Sequence, residues 1–404
     1  MRSIFFLGLI GGGPFALWTS SLIVFVFVTI TAAVLRETCS AIPTVGSLYI
    51  WSAAAAGPKY GRFIAFITAW WVTLTAASAW MTFSAAASHA GATYILSILS
   101  IYGQDFPGGI SDDNVKWRVV IWLVAELLLL VGLLICHLPL RRYPVIFTIA
   151  MGIILVDVLL NLTWFPVRVH MTYGFRSAKE ALFSTFDGTG ATPGWSWMLS
   201  FFALISSTAG FEASAHVAEE TKNAKVVAAR SVLISGFLSS LLQFTATILC
   251  LFCTPSIEEL AKLTAPQPFV LVYLLALGRG GATFMAILSA SSYTLARIRL
   301  CAVAASYGLI GLLRLTLTPG GFKSAYYPLG RLAKPFYLLT ALFGALMAAV
   351  LISPLQFPVT RPNLNYAGIV FGAITIFGVI GWSITPERKW MHSKHISDTF
   401  AAVN

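Results

Sequence analysis

The chain has 404 residues, of which 58% are hydrophobic and only 10% are charged. Soluble proteins carry roughly 25% charged residues, so this composition excludes a soluble globular protein and predicts an all-α integral membrane protein. The net charge of +11 could indicate nucleic-acid binding, but the basic residues stand in short clusters between apolar runs. Cytoplasmic loops of membrane proteins have this distribution, so we expect a lipid bilayer and no nucleic acid as partner.

Eight apolar runs are long enough to cross a bilayer, which takes about 20 residues per helix. In chain order they are 15–35, 63–87, 119–138, 145–167, 196–217, 232–254, 336–357 and 365–385. A ninth run at 280–296 is slightly short, and the blocks 4–10 and 301–313 are too short to span alone. We therefore predict about nine full spans and two partial helices.

Lys and Arg residues in the short loops predict the orientation of these spans. The residues that mark one side are Arg36, Lys59, Arg62, Arg141, Arg142, Lys222, Lys225 and Arg230. We assign this side to the cytoplasm, together with the C-terminal tail at 386–404. The loops at 102–116 and 168–194 balance acid and base and are predicted to face the other side.

Basic loops are predicted on every second connection between spans, and this alternation is broken at one place. Arg297 and Arg299 precede the short block 301–313, and a second basic cluster follows it. That cluster consists of Arg314, Lys323, Arg331 and Lys334. If the block crossed the membrane, the cluster would lie outside, against the positive-inside rule. We therefore predict that a segment is missing near 290–303, and that the N-terminal GLIGGGPFALW is the end of a clipped helix.

The most informative segment is 195–225, WSWMLSFFALISSTAGFEASAHVAEETKNAK. Its apolar run is interrupted by small and hydroxylated residues, and a carboxylate follows directly. A carboxylate in hydrocarbon is costly and usually functional, and irregular backbone at that depth is tolerated where it lines a cavity. The pattern predicts a broken helix beside a substrate cavity. The candidate substrate-binding residues are Ser207, Thr208, Ala209, Gly210, Phe211 and Glu212.

Four motifs resemble one known family. GFEASAHVAEETKNA is similar to the sixth-helix signature of the fungal amino acid/choline permeases, which include γ-aminobutyrate permeases and belong to the amino acid–polyamine–organocation superfamily. RETCSAIPTVGSLYIW resembles the loop after helix 2 of this family. Its matching residues are Glu37, Pro43, Gly46, Tyr49 and Trp51, whereas Ser47 replaces a glycine. YYPLGRLAKPFYLLTALF and PVTRPNLNYAGIVFGA resemble the starts of helices 11 and 12, so the motifs follow the family order.

The resemblance implies a leucine-transporter-type fold, in which two inverted repeats of five helices are followed by two more. Aligned with that fold, the sequence corresponds to a single permease domain over 1–404. The resemblance implies that this domain is incomplete and lacks helix 9. Its parts are a remnant of helix 1 at 1–11, helices 2 to 8 at 15–296, a remnant of helix 10 at 301–313, helices 11 and 12 at 335–385, and the tail at 386–404. The plasma membrane is the expected location.

By the same resemblance, Phe211 covers the substrate, and its ring could also attract an ammonium group through a cation–π contact. The alternative is that 206–210 is only a small-residue patch for helix packing. The spacing of Glu212, His216 and Glu220 predicts one shared α-helical face, which could pass protons or bind an amine. For Glu219 and Glu220 we favour pairing with nearby lysines instead. No metal is expected.

Two carboxylates and three tryptophans in the apolar runs each allow a functional or a structural interpretation. Glu126 and Asp157 could face the helix bundle and titrate, or they could lie near an interface and reach water. The tryptophans Trp70, Trp71 and Trp80 could line the cavity, but packing or interface anchoring is the commoner role of such residues.

The resemblance predicts a secondary transporter of amino acids or related amines such as γ-aminobutyrate or choline. We expect it to be coupled to protons, to use no cofactor and to work by alternating access. The alternative is a non-transporting degenerate or mis-spliced product, or a relic that binds substrate without moving it. An enzyme is not expected, because the sequence has no GxSxG, P-loop or HExxH motif.

Overall fold

The computed structural model describes residues 4–44, 46–111, 113–208, 210–255, 265–295, 301–321, 324–361, 363–386 and 390. This part of the chain is helical and contains no β-strand. Its helices are α1 (Phe5–Ile10), α2 (Gly13–Ala41), α3 (Ser47–Ile101), α4 (Val115–Cys136), α5 (Tyr143–Leu162), α6 (Trp164–Met171), α7 (Ala178–Phe183), α8 (Pro193–Thr208), α9 (Ala224–Cys253), α10 (Phe269–Leu295), α11 (Cys301–Thr316), α12 (Ala333–Ile352) and α13 (Ala367–Ile384).

Eight helical segments of the described chain are long and apolar enough to cross a bilayer. They are Gly13–Ala41, Val115–Ile135, Tyr143–Met171, Pro193–His216, Ala224–Cys253, Phe269–Ser292, Gly330–Ile352 and Ala367–Ile384. Each segment coincides with a predicted run, and Phe269–Ser292 coincides with the short run at 280–296. The predicted run at 63–87 is not among these segments. It lies inside α3, where the side chains of 74–84 are outside the described part. The prediction of an all-α membrane protein is confirmed.

Two helices contain a sharp glycine kink. Gly57 (φ 74°, ψ 178°) divides α3, and Gly278 (φ 70°, ψ 179°) divides α10. Only glycine adopts these dihedral angles without strain, because it has no Cβ. In both cases a short helix precedes the kink and a longer apolar helix follows. The same backbone arrangement therefore occurs in each half of the chain, and α3 and α10 pack against each other.

The core of the bundle is formed around α2, which packs against α8, α9 and α12. The helices α4, α5 and α13 are mostly exposed, as expected of helices that face lipid. Small residues bring α11 and α12 close together, since a Cβ added at Gly311 would lie 2.9 Å from the carbonyl oxygen of Tyr337. Close approach of this kind favours van der Waals packing between membrane helices.

The structure corrects the prediction that Arg314 is a loop residue. Arg314 lies in α11 and is fully buried, with Nη2 3.3 Å from Oε2 of Glu37 on α2. The hydroxyl of Tyr337 on α12 lies 2.5 Å from both groups, accepting from Arg314 and donating to Glu37. The backbone N–H of Leu329 donates to Oε1 of Glu37 at 3.0 Å. An ion pair of this kind lets a guanidinium lie inside the bundle. Arg314, one of the four basic residues from which a missing segment was predicted, is therefore a buried partner of Glu37 and not a loop charge.

Candidate functional site

The helix that was predicted to break does so. The α-helix α8 ends at Thr208, and Gly210 adopts the left-handed conformation (φ 93°, ψ 10°) before a 3₁₀ helix at Phe211–Glu220. The hydroxyl groups of Ser206 and Ser207 donate to the carbonyls of Phe202 and Leu204 at 2.6 and 2.7 Å. Such side chains compete with the backbone for these acceptors and often bend helices. Ala209 lies outside the described residues.

The prediction that Glu212, His216 and Glu220 share one face is wrong. The segment is a 3₁₀ helix with three residues per turn, so residues four apart point in different directions. Glu212 is fully buried, whereas His216 is half-buried, with its Nδ1 3.3 Å from the hydroxyl of Ser47. Glu219 is exposed, and the side chain of Glu220 is not among those described.

Glu212 is held by Tyr307, a residue of α11. The Tyr307 hydroxyl donates a hydrogen bond to Oε2 of Glu212, and its ring lies 5.2 Å from the ring of Phe211. Ser235 donates to the carbonyl of Phe211 at 2.6 Å and fixes the start of the 3₁₀ helix. The sequence does not single out Tyr307, because the block 301–313 resembles only the end of a helix. A single phenol in the apolar stretch CAVAASYGLIGLL was the available signal.

A small cavity lies on one side of the break, between α2, α8, the 3₁₀ helix, α11 and α12. It is lined by Val28, Thr31, Ile205, Thr208, Phe211, Tyr307, Thr340, Phe343, Gly344 and Met347. Its volume is about 30 Å³, which is enough for a water molecule but not for an organic substrate. The Thr340 hydroxyl in its wall is buried and has no hydrogen-bond partner. This conformation is therefore closed around the polar groups at the break.

A larger pocket of about 410 Å³, partly open to the surroundings, lies on the other side of the break, between α5, α8, α9 and α10. Ser207, Asp157 and Gln243 are among its lining residues. Asp157 is only 6% exposed, so its side chain faces the bundle. The predicted site residues are thus divided, since Thr208 and Phe211 line the small cavity and Ser207 lines the large one.

The remaining candidates lie away from the break. Glu126 is half-buried and lines a surface pocket with His89 and Arg118. Trp71 donates to the hydroxyl of Thr375 on α13 at 2.9 Å, so it has a packing role. The side chain of Trp80 is outside the described part. Within that part, no group of three or more His, Cys, Asp or Glu side chains is arranged to hold a metal ion.

Comparisons with known proteins find a transporter and amino-acid permeases among the relatives of this chain. The chain is 31% identical to the thiamine transporter thi9 of Schizosaccharomyces pombe, with 98% of this chain and 81% of the relative covered. It is 21% identical to the uncharacterized amino-acid permease C74.04 of the same organism, over 96% of this chain and 79% of the relative. It is also 27% identical to the amino-acid permease BAT1 of Arabidopsis thaliana, over 47% of this chain and 36% of the relative.

A model of the amino acid permease family matches residues 3–307, about three quarters of the chain. This region includes the kinked helix α3, the broken helix α8, the 3₁₀ segment and Tyr307. The resemblance drawn from the four motifs is confirmed at this level. The chain belongs to the amino acid permease family.

Proposed function

We propose that the protein is a secondary transporter that moves a small organic amine across a membrane by alternating access. The observation that carries this proposal is the interruption of α8 at Thr208–Gly210, directly before the buried Glu212. A helix broken at membrane depth offers unpaired backbone groups to a ligand and is typical of transporter binding sites. The two relatives named for their activity, a thiamine transporter and an amino-acid permease, support the transport class.

The substrate class follows from the groups at the break. Glu212 supplies a carboxylate, and the rings of Phe211 and Tyr307 supply faces that attract cations. Choline, γ-aminobutyrate and thiamine all carry a cationic nitrogen. Thiamine is the first compound to test, because the thiamine transporter is 31% identical and aligns with nearly the whole chain.

Glu212 and His216 are the proposed proton-coupling groups. Glu212 is a carboxylate at the break, and its hydrogen bond from Tyr307 connects it to α11. Protonation would weaken that hydrogen bond, so α11 and the 3₁₀ helix could separate as the site opens. We further propose a plasma-membrane location with a cytoplasmic C-terminus, since the basic loops favour that orientation.

Uptake by permease-deficient cells tests the transport proposal. Cells that express the chain should accumulate radiolabelled thiamine, choline or γ-aminobutyrate above the empty-vector control. Glu212→Gln should abolish this uptake at normal surface expression, whereas Glu126→Gln, a matched carboxylate on α4, should retain it. A surface-expressed chain with no uptake of any of the three compounds would overturn the proposal.

One observation favours a second candidate, a product that binds its ligand without transporting it. The alignment with the thiamine transporter extends over 485 positions, although the chain has only 404 residues. The relative therefore has residues within the matched region that this chain lacks. We propose that part of this difference lies near 290–303, between the end of α10 and the start of α11. Sequencing the transcript across these codons, combined with the uptake assay, separates the two candidates.

A further inference from the structure

We propose that the large cavity between α5, α8, α9 and α10 binds a protonated organic amine that carries no carboxylate. We call this cavity the Asp157 groove, after the carboxylate in its wall. The inference goes beyond the proposed function, because it assigns a second ligand site whose lining includes none of Phe211, Glu212 and Tyr307. Ligand binding in the groove is measured separately from transport, so each can fail without the other.

The groove has the size of a small-molecule site. Its volume is about 410 Å³, within the range of about 300–1,000 Å³ that ligand pockets occupy. Its polar lining residues are Asp157, Asn161, Ser207, Ser239, Gln243 and Ser292. A bare metal ion would need several ligands within about 2.0–2.6 Å of one point, and the described residues contain no cluster of three His, Cys, Asp or Glu side chains that could hold one. The groove fits an organic molecule better than an ion.

Three serine hydroxyls present oxygen rather than hydrogen to the groove. Ser207, Ser239 and Ser292 each donate their hydrogen to a carbonyl of the preceding helical turn. The acceptors are Leu204, Gly236 and Leu288, at 2.7, 3.2 and 3.0 Å respectively. A hydroxyl has one hydrogen and two lone pairs. Once the hydrogen is used within the helix, only the lone pairs are available to a ligand.

The side-chain amide of Gln243 has a fixed orientation beside the groove. The Thr247 hydroxyl donates to the backbone carbonyl of Gln243 at 2.9 Å, so toward the Gln243 side chain it acts only as an acceptor. The nitrogen Nε2 of Gln243 must therefore face Thr247, at 3.1 Å, and it also donates to Ser21 at 2.9 Å. This fixes the orientation of the amide. Its oxygen Oε1 is buried without a hydrogen-bond partner, so its partial negative charge stands uncompensated behind the wall of the groove.

The hydrogens of Asn161 are engaged as well. Its Nδ2 donates to the backbone carbonyl of Asp157 at 2.7 Å and to Oδ1 of that residue at 3.2 Å. Its own oxygen accepts from the Tyr273 hydroxyl at 2.5 Å. Asn161 therefore orients the Asp157 carboxylate, which adds negative charge to a wall of oxygen acceptors. An ammonium group matches this wall, whereas the carboxylate of an amino acid would be repelled by it.

Three probes of nearly equal shape test the inference on the purified full-length protein in detergent. Phenethylamine is a cation, phenylalanine adds a carboxylate to it, and phenylethanol replaces the amine with a hydroxyl. Calorimetry should show that phenethylamine binds at least about tenfold more tightly than the other two, as expected of a hydrogen-bonded charge pair. Phenylalanine binding as tightly as phenethylamine would overturn the inference.

Variants locate the binding to the groove. Asp157→Asn should weaken phenethylamine binding about tenfold or more, and Glu126→Gln should leave it unchanged. If Asp157→Asn does not fold, Ser292→Leu, which fills the groove from α10, should abolish binding. Unchanged affinity in either folded variant would contradict the assignment. If the chain binds phenethylamine through Asp157 but shows no uptake, the groove is supported and transport is refuted. If the chain shows uptake but its amine binding does not depend on Asp157, transport is supported and the groove is refuted.

Discussion

At the scale of single residues, the contact between Glu212 and Tyr307 is the link between the helix break and α11. Both side chains are buried, and the phenol donates to the carboxylate. Hydrogen bonds to charged groups contribute about 1.5–3 kcal/mol, more than neutral ones. The contact therefore favours packing of the 3₁₀ helix against α11 in this conformation.

Removing the phenol hydroxyl tests this contact. Tyr307→Phe keeps the ring beside Phe211 but removes the donor, so we expect a lower melting temperature in detergent, equivalent to about 1–3 kcal/mol. In the double variant with Glu212→Gln the two effects should not add, because both substitutions act on the same bond. Strictly additive changes in melting temperature would show that the two residues are energetically independent.

The buried ion pair between Glu37 and Arg314 makes a second residue-scale prediction. Removing one partner leaves a charge inside the bundle, which typically costs about 3–5 kcal/mol. Arg314→Met should therefore lower the melting temperature strongly, and the double variant with Glu37→Met should recover part of the loss. Arg331→Met, at an exposed arginine, serves as the control and should have little effect. Equal melting temperatures for the two single arginine variants would contradict the account.

Sequence reasoning identified Glu37 through a motif but misplaced its partner. A charge at the end of an apolar block normally indicates a loop, and hydropathy carries no information about which buried charges pair. Arg314 is 277 positions from Glu37 in the chain, so only the packing of α11 on α2 and α12 reveals the pair. The same limit explains why Tyr307 was missed, although Glu212 and Phe211 were found.

At the scale of helices, the kink at Gly278 predicts a difference between two nearby glycines. A Cβ at Gly278 or at Gly280 would meet nothing within 4 Å, so neither substitution is opposed by crowding. Gly278 has a positive φ, and a side chain there costs about 1–3 kcal/mol in backbone strain. Gly278→Ala should lower the melting temperature, whereas Gly280→Ala should be neutral or stabilising, since alanine favours a helix. An equal decrease in melting temperature for the two variants would argue against a strained backbone at Gly278.

The loop before α8 predicts a dependence on pH. Hydrogen bonds from the side chain and backbone of Thr189, and from the hydroxyl of Ser196, hold the pKa of Asp187 below its ordinary value of 3.8. A carboxyl group with a lowered pKa in the folded state stabilises the protein above its unfolded value and loses that contribution as the pH falls.

The melting temperature of the wild-type chain should therefore decrease between about pH 5 and pH 3 by more than that of Asp187→Asn. Asp105→Asn, at an exposed carboxylate in another loop, should behave as the wild type does. Identical pH profiles for the wild type and Asp187→Asn would show that these hydrogen bonds do not stabilise the start of α8.

The spans were predictable because hydropathy reports directly on burial in lipid, and the break in α8 was predictable because Ser206 to Gly210 interrupt an apolar run. The type of helix that follows the break could not be predicted. Glu212, His216 and Glu220 satisfy a four-residue spacing, but the spacing of polar residues cannot show that the backbone will take three residues per turn. That choice depends on packing against α9, where Ser235 bonds to the carbonyl of Phe211.

At the scale of the whole molecule, two cavities of very different size flank one broken helix. The small cavity of about 30 Å³ is lined by Phe211 and Tyr307 among others, and the Asp157 groove of about 410 Å³ is lined by Ser207. Alternating access requires such a site to change its volume as the helices move. The closed cavity is consistent with one state of that cycle, in which the contact between Glu212 and Tyr307 is made.

The most direct measurement is an experimental density map of the purified chain with thiamine bound. The account predicts a helix that ends near Thr208, a turn at Gly210, and ligand density within contact of the broken segment. A continuous α-helix from 193 to 220, with Glu212 turned toward lipid and no ligand beside it, would contradict the central claim.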